Sequence, residues 1–246
     1  MRRFFAAPEL LRQATFTLPS DILQHLKVLR IAAGERIELF DGCGLEATAL
    51  ITSLDKSIAQ VSIEQRRHSP APRLAFRLLQ GVPKGSKMDL LLQKGTELGI
   101  SRFSPVYCKH GDVSIAPRRL TGRSDRWQKI IQEAARQSGR SHLPRLDPPD
   151  QLTNLLPRVR EELRLVPWEQ GGEPLQDLLH AAAPQSIACL IGPEGGLTAA
   201  EVDLAKANGF RPVTLGPRIL RSETAGIAVA SILLYLFGDL GSSHQS

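Results

Sequence analysis

The chain has 246 residues, 42% of them hydrophobic and 23% charged, the composition of an ordinary soluble globular protein with room for one or two cores. Its three cysteines, Cys43, Cys108 and Cys189, are far apart and odd in number, so no disulfide framework or metal site is suggested and a reducing cytosol fits. The longest apolar run, Ala225 to Phe237, is too short to span a bilayer, and no apolar stretch follows the basic start Met1-Arg2-Arg3-Phe4-Phe5 to make a signal peptide.

The net charge of +6 is unevenly placed. Residues 1–72 carry 9 Lys or Arg against 8 Asp or Glu, residues 73–145 carry 15 against 5, and residues 146–246 carry 7 against 12. A basic middle fits a polyanionic partner, because Lys and Arg neutralise phosphates and release counterions. On charge alone it fits a solvated basic face equally well.

The first 70 residues alternate rather than follow a helical period. Asp21 to Arg30 is a short helix with His25, Val28 and Leu29 spaced for one side. Arg36 to Phe40 reads as a strand, Asp41-Gly42-Cys43-Gly44 as a turn, and Glu46 to Ile51 and Ser57 to Ile63 as further strands. Arg66 to Pro72 has linker composition. Beyond it strands and helices alternate. Strands are expected at Leu74–Leu79, Phe103–Tyr107, Leu163–Val166, Ile187–Ile191 and Val213–Leu215. Helices are expected at Lys87–Leu98, Ser124–Ser138, Pro174–Ala182, Thr198–Asn208 and Ser222–Phe237. Thr198-Ala199-Ala200-Glu201 has capping-box spacing, and Asn208-Gly209 closes the same helix. Such alternation argues a mostly parallel sheet covered by helices.

Gly42-Cys43-Gly44-Leu45-Glu46-Ala47 has the G-x-G-x-x-A spacing of a dinucleotide fingerprint. That motif works only where a helix follows, with its N-terminus facing the ligand. Here another alternating run follows, so the segment is a hairpin. His25, His68, His110 and His142 have no metal-ligand spacing, and no metal is expected.

Two later glycine loops are more informative. Ile191-Gly192-Pro193-Glu194-Gly195-Gly196 lies between an apolar strand and a capped helix, and Leu215-Gly216-Pro217-Arg218-Ile219-Leu220-Arg221-Ser222-Glu223-Thr224-Ala225 again ends a strand and opens a helix. Glycines at a strand's carboxyl end let backbone approach a ligand, though a tight turn also needs them. Arg218 and Arg221 at a helix entry suit an anion, or Arg221 pairs with Glu223 or Glu194 and fixes the loop.

These two loops resemble those of the SPOUT methyltransferases. More narrowly the chain resembles the RsmE family, which methylates N3 of a uridine in the 16S ribosomal RNA of the small subunit. The likeness extends through Arg2-Arg3, His25-Leu26-Lys27-Val28-Leu29-Arg30, Leu39-Phe40-Asp41-Gly42, Lys87 to Gly99, Trp127-Gln128-Lys129-Ile130, Glu133 to Arg140 and Phe237-Gly238-Asp239-Leu240-Gly241. The one departure, Ser222 where the family usually has Thr, keeps the hydroxyl.

The resemblance implies an α/β fold: a SPOUT-type knotted parallel-sheet domain with a C-terminal trefoil knot at 73–246, preceded by a small PUA-like β-barrel that binds RNA at 1–70. It implies S-adenosylmethionine held by three loops near Val166–Gly171, Ile191–Gly196 and Leu215–Ala225. The cofactor-binding residues would be Val166, Glu169, Ile191, Gly192, Gly195, Gly196, Leu215, Gly216, Leu220, Thr224 and Ala225. The catalytic set would be Arg221, Glu223 and Glu194, with Arg221 on a uracil carbonyl oxygen and a carboxylate orienting it or taking the N3 proton. Either carboxylate could instead be a cap or loop lock. RNA would meet Arg2, Arg3, Lys27 and Arg30 on the barrel, and Arg118, Arg119, Arg123, Arg136 and Arg140 in the basic segment, the last two sharing a helix face. The family is a cytoplasmic homodimer with no membrane attachment, and Ala225 to Phe237 is either part of its interface or plain core. Two other readings stay open: a SPOUT ribose 2′-O-methyltransferase on rRNA or tRNA, disfavoured by the absence of Asn from Lys87–Gly99, and a non-catalytic RNA-binding ribosome-assembly factor.

Overall fold

The computed structural model describes residues 1–111, 117–178 and 183–241, without the side chains of 117–121. It divides into two compact units, Met1–Ala71 with Ala135–Leu143, and Pro72–Ala134 with Pro144–Ser246.

The first unit is a five-stranded sheet in the order β1-β3-β4-β5-β2, formed by β1 (Arg2–Phe5), β2 (Thr15–Thr17), β3 (Arg36–Phe40), β4 (Leu45–Leu54) and β5 (Ala59–His68). β1 runs parallel to β3 and the remaining pairs are antiparallel. Inward side chains alternate along β3 and β4, so Ile37, Leu39, Ala47, Ala49 and Ile51 share a core with Phe4, Leu11 and Val61. The short helix α1 (Pro8–Leu11) adds Leu11 to that core. Helix α2 (Ser20–Val28) turns Ile22, Leu23 and Leu26 inward. This corrects the expected face: His25 and Leu29 are exposed and Val28 is 78% exposed, because Ile22, Leu23 and Leu26 already supply the apolar stripe.

The glycine pair of the rejected fingerprint lies in the β3–β4 hairpin, with φ of +77° at Gly42 and +100° at Gly44. Leu143 N donates to Gly42 O, and Gly44 N donates to Ser141 O, so residues 135–143 belong with this unit. The expected linker also starts later, since Arg66–His68 extend β5.

The second unit holds one sheet in which every pairing is parallel. Its strands are β6 (Ala75–Gly81), β7 (Arg102–Tyr107), β8 (Arg145–Leu146), β9 (Asp150–Gln151), β10 (Leu163–Pro167), β11 (Glu173–Pro174), β12 (Ser186–Ile191) and β13 (Arg211–Thr214). The order is β11-β13-β10-β12-β6-β7-β8, with β9 also on β7. Of the central strands β12 reads as an apolar run, and β6 and β7 are buried over most of their length although they carry Arg77, Gln80 and Ser104.

Helix α3 (Lys87–Leu98) buries Met88, Leu91, Leu92 and Thr96 and stops at Gly99, whose φ is +113°. α4 spans Pro117–Ser138 and starts earlier than expected; Trp127, Ile131 and Ala134 face inward. α5 (Leu152–Leu155) and a 3-10 turn (Leu156–Arg158) lead to β10. α6 spans Leu175–Leu178 within the helix expected over 174–182; Pro174 ends β11 instead, and 179–182 lie outside the described residues. α7 (Ala199–Ala207) carries the anticipated capping box: Glu201 N donates to Thr198 Oγ1, and Thr198 N to Glu201 Oε2 at 2.8 Å.

α8 (Ser222–Phe237) buries Ser222, Gly226, Val229, Ala230, Leu233 and Leu234 at helical spacing. A β-carbon at Gly226 would stand 3.1 Å from Leu91 Cδ2, so the glycine sets how closely α8 and α3 pack. Val229, Leu233 and Leu234 on that stripe are each worth about 1.5–3 kcal/mol. The opposite face exposes Ile232, Tyr235 and Leu236. Among the described residues no helix is long and apolar enough to cross a membrane.

Candidate active site

The carboxyl ends of β10, β12 and β13 converge with the starts of α3 and α8. Between them lies a cleft of about 400 Å³ lined by Lys87, Pro167, Glu169, Ile191 to Leu197, Ile219 to Ser222 and Ala225. A smaller space of about 200 Å³ adjoins it across Ile219 and Leu220, lined by Trp168, Val213 to Arg218 and several of the same residues. Ligand pockets in open parallel sheets form at this end of the strands.

Close backbone approach holds the walls. A β-carbon at Gly81, where β6 ends, would lie 2.6 Å from Pro193 N. One at Gly195 would lie 2.7 Å from His110 Cβ, and His110 Nδ1 is 2.9 Å from Gly195 O. Gly196, with φ of +71°, closes a turn by donating to Pro193 O. Ser222 ties the loops together, donating to Gly192 O and accepting from Gln80 Nε2 at 2.8 Å.

Charge gathers on one rim. Lys87 Nζ is 3.1 Å from Glu194 Oε1 and 3.8 Å from Glu223 Oε2. Lys84 N also donates to Glu194 at 3.0 Å. Burial pushes the Glu194 carboxyl up, but the donors around it, including Lys87 and Lys84 N, outweigh that and leave it below the usual carboxylate range. Glu223 Oε2 is buried and accepts no hydrogen bond.

The expected site residues fall into three groups. Glu169, Glu194, Ile191, Gly192, Gly195, Gly196, Leu220, Arg221 and Ala225 line the larger cleft, and Leu215 and Gly216 the smaller space. Val166 is fully buried within β10, Thr224 is exposed, and Glu223 is 3.8 Å from Lys87; none of the three is a lining residue. Lys87 and Leu197 line the cleft from outside the three expected loops, and Pro193 and Ile219 line it from within them without having been singled out. Lys87 read only as a helix start, because its carboxylate partners lie far along the chain.

The expected RNA contacts also separate. Arg2 and Arg30 are exposed. The Arg3 side chain is 10% exposed, bound to Glu46 at 2.7 Å and stacked 4.5 Å over the Phe40 ring, so it is a structural ion pair rather than an open phosphate contact. Lys27 donates to Lys56 O. Arg136 is on α4, but Arg140 follows the helix end at Ser138 and Gly139, whose φ is +76°, so the two do not share a helix face. Arg123 is half-buried, and the side chains of Arg118 and Arg119 lie outside those described.

The cleft suits S-adenosylmethionine. Its volume is in the range of small-molecule sites. Glycine-rich walls offer backbone groups, Ile191, Leu197 and Leu220 offer apolar contact, and Glu169 and Glu194 offer negative charge for a cationic ligand. Trp168 lines the smaller space, and its buried Nε1 donates to no described residue, leaving a donor for a ligand acceptor. Among the described residues no group of His, Cys, Asp and Glu could hold a metal ion.

The fold is that of an α/β methyltransferase of the SPOUT class. Residues 70–234 match the model of an RNA methyltransferase domain, and residues 18–64 that of an RNA methyltransferase PUA domain. Ribosomal RNA small subunit methyltransferase E of Bacillus subtilis is 32% identical, with 96% of each chain covered. The Synechocystis protein of the same name is 34% identical over 94% of this chain and 76% of its own. The structure of that enzyme from Neisseria gonorrhoeae, bound to S-adenosyl methionine, superposes with a TM-score of 0.88 at 36% identity over 97% and 99% of the two chains. A methyltransferase from Legionella pneumophila in complex with the same cofactor gives 0.90 at 32% identity over 97% and 99%. The chain belongs to the ribosomal RNA small subunit methyltransferase E family.

Proposed function

We propose that this protein transfers a methyl group from S-adenosylmethionine to N3 of a specific uridine in 16S ribosomal RNA. The observation that carries this reading is the convergence of the 191–197 and 215–222 loops on one cleft with Arg221 and Lys87 on its walls. Relatives named for small-subunit ribosomal RNA methylation, aligned over nearly the whole chain, support it.

When bound, the sulfonium supplies an electrophilic methyl group. The chain's own residues must hold the uracil for in-line attack and favour loss of its N3 proton. Glu169, Gly192, Gly195, Gly196, Leu215, Gly216, Leu220 and Ala225 hold the cofactor, chiefly through backbone. Arg221 stabilises negative charge on a uracil carbonyl oxygen. The trefoil knot belongs to this reading, and a sheet order with β12 between β10 and β6 and β13 beyond β10 is compatible with it.

In the same reading residues 1–70, joined by 135–143, form the RNA-binding domain, and the rest of the expected 73–246 the catalytic domain. Arg2, Arg30, Arg118, Arg119, Arg123, Arg136 and Arg140 engage phosphates, and the protein works in the cytoplasm as a homodimer. The apolar outer face of α8, with Ile232, Tyr235 and Leu236, supports the homodimer.

Calorimetric titration with S-adenosylmethionine, followed by methyl transfer to small subunits with Arg221→Ala, tests the proposal. It requires cofactor uptake, and loss of transfer by a variant that still folds. No uptake points to an RNA-binding factor, and normal transfer by Arg221→Ala removes that residue from the mechanism.

A further inference from the structure

We infer that Lys87 is a second catalytic cation, which binds a carbonyl oxygen of the target uracil and makes its N3 proton easier to lose. The inference rests on the uracil-N3 reading above.

Lys87 is the only lysine lining the described cleft. The charged groups around it are Glu194 on the β12–α7 loop, Glu223 on α8, and Glu169 and Arg221 on the cleft wall. Two carboxylates on separate elements fix a flexible side chain at the rim, 3.1 Å and 3.8 Å away. Its side chain stays 36% exposed, so it is held but not closed off from a substrate.

The same geometry makes the carboxylates poor proton acceptors. Glu194 is already engaged by Lys87 and by Lys84 N, and a carboxylate so stabilised is a weak base. Glu223 is 3.8 Å from Lys87 and does not line the cleft. An imide flanked by two carbonyls offers another route. Its N3 anion spreads charge onto both oxygens, and a cation at an oxygen stabilises that anion wherever the proton goes. Lys87 and Arg221 give one cation for each oxygen, and Glu194 and Glu223 act as positioning residues.

The step balances with hydroxide as the proton acceptor. Hydroxide takes the N3 proton and becomes water, leaving the imide anion against Lys87 and Arg221. The N3–carbon bond then forms as the methyl carbon–sulfur bond breaks, and sulfur keeps the electron pair as a neutral thioether. No proton passes through Lys87.

The test is the pH profile of single-turnover methyl transfer from labelled S-adenosylmethionine to isolated small subunits, for the full-length protein, Lys87→Met, Lys87→Arg and Glu223→Gln. Lys87→Met should be about 100-fold slower at neutral pH. Its rate should keep climbing with pH beyond the point where the wild type levels off. Lys87→Arg should recover most of the rate, and Glu223→Gln should move the profile the same way by less. An equal loss at every pH, or no loss, in Lys87→Met overturns the inference, as does an unmoved profile in Glu223→Gln should Lys87→Met fail to fold. The wild-type product separates the two proposals. A methyl group elsewhere than N3 removes the base reading itself, whereas N3-methyluridine with unshifted variant profiles removes only the role of Lys87.

Discussion

Ser222 donates its hydroxyl proton to the carbonyl oxygen of Gly192 at 2.5 Å, joining the first residue of the last helix to the glycine loop after β12. The hydroxyl oxygen accepts in turn from Gln80 Nε2 at 2.8 Å, so one buried hydroxyl links the end of β6 with both ligand loops. Ser222→Ala removes the close donor to Gly192 O, which keeps only the longer 3.4 Å bond from Gln80 Nε2, while that amide still donates to Gly81 O at 3.0 Å; the loss should be about 0.5–1.5 kcal/mol. Urea unfolding would show this, and calorimetry should show weaker S-adenosylmethionine binding. Ser222→Thr keeps the hydroxyl and should stay near wild type in both.

Gly81→Ala should disturb the same wall by a different route. Its β-carbon would press on Pro193 N at 2.6 Å and Gly192 C at 2.9 Å, backbone atoms that cannot swing aside. We expect a loss of about 1–3 kcal/mol and reduced cofactor affinity. Gly122, on α4, has nothing within 4 Å of its β-carbon position, so Gly122→Ala should be neutral or stabilising by up to about 1 kcal/mol. Thermal melts of the two variants check the contrast.

Asp147 makes acid stability testable. It is buried and accepts from Arg102 Nε at 2.7 Å, Ser104 Oγ at 2.6 Å and Arg77 Nη2 at 3.3 Å. Burial alone would raise its pKa, but the bonds from Arg102 and Ser104 and the charges of Arg102 and Arg77 hold it below the usual range. A depressed folded pKa means its contribution is fully present above the unfolded value of about 3.9 and is lost as pH falls through the folded one. Asp147→Asn leaves buried Arg77 without its closest charge partner and should cost about 3–5 kcal/mol at neutral pH. The variant should also lose stability less steeply in acid, as denaturant titrations over a pH series would reveal.

Much of this was readable because local signals agreed. α3 and α8 occupy the predicted Lys87–Leu98 and Ser222–Phe237, since apolar spacing, Gly99 and the Arg221–Ser222 entry all mark the same bounds. The capping box at Thr198 and Glu201 is likewise local. What escaped depends on distant partners. β8, β9 and β11 are two residues each and become strands only against β7 and β13. Residues 135–143 look like a helix end, yet Ser141 and Leu143 bond to the Gly42–Gly44 turn. Arg3 looked like a free basic residue until Glu46 appeared beside it. Lys87 escaped for the same reason: sequence places Glu223 beside Arg221, whereas in space it is Lys87 that lines the cleft, 3.8 Å from Glu223.

RNA binding by the basic segment should be electrostatic. Reversing Arg118, Arg119 and Arg123 together should weaken affinity for small-subunit RNA. It should also reduce the dependence of log affinity on log salt by about 0.7–0.9 for each phosphate no longer neutralised. Filter binding over a salt series measures both, and an unchanged slope would assign these arginines to a solvated face.

The central claim, base methylation at N3, has one direct measurement. Isolated small subunits and naked 16S RNA are incubated with the protein and labelled S-adenosylmethionine, and the labelled nucleoside is then isolated and mapped. We predict N3-methyluridine at a single position. Label recovered as a 2′-O-methylated ribose, or no transfer to either substrate, would contradict the account.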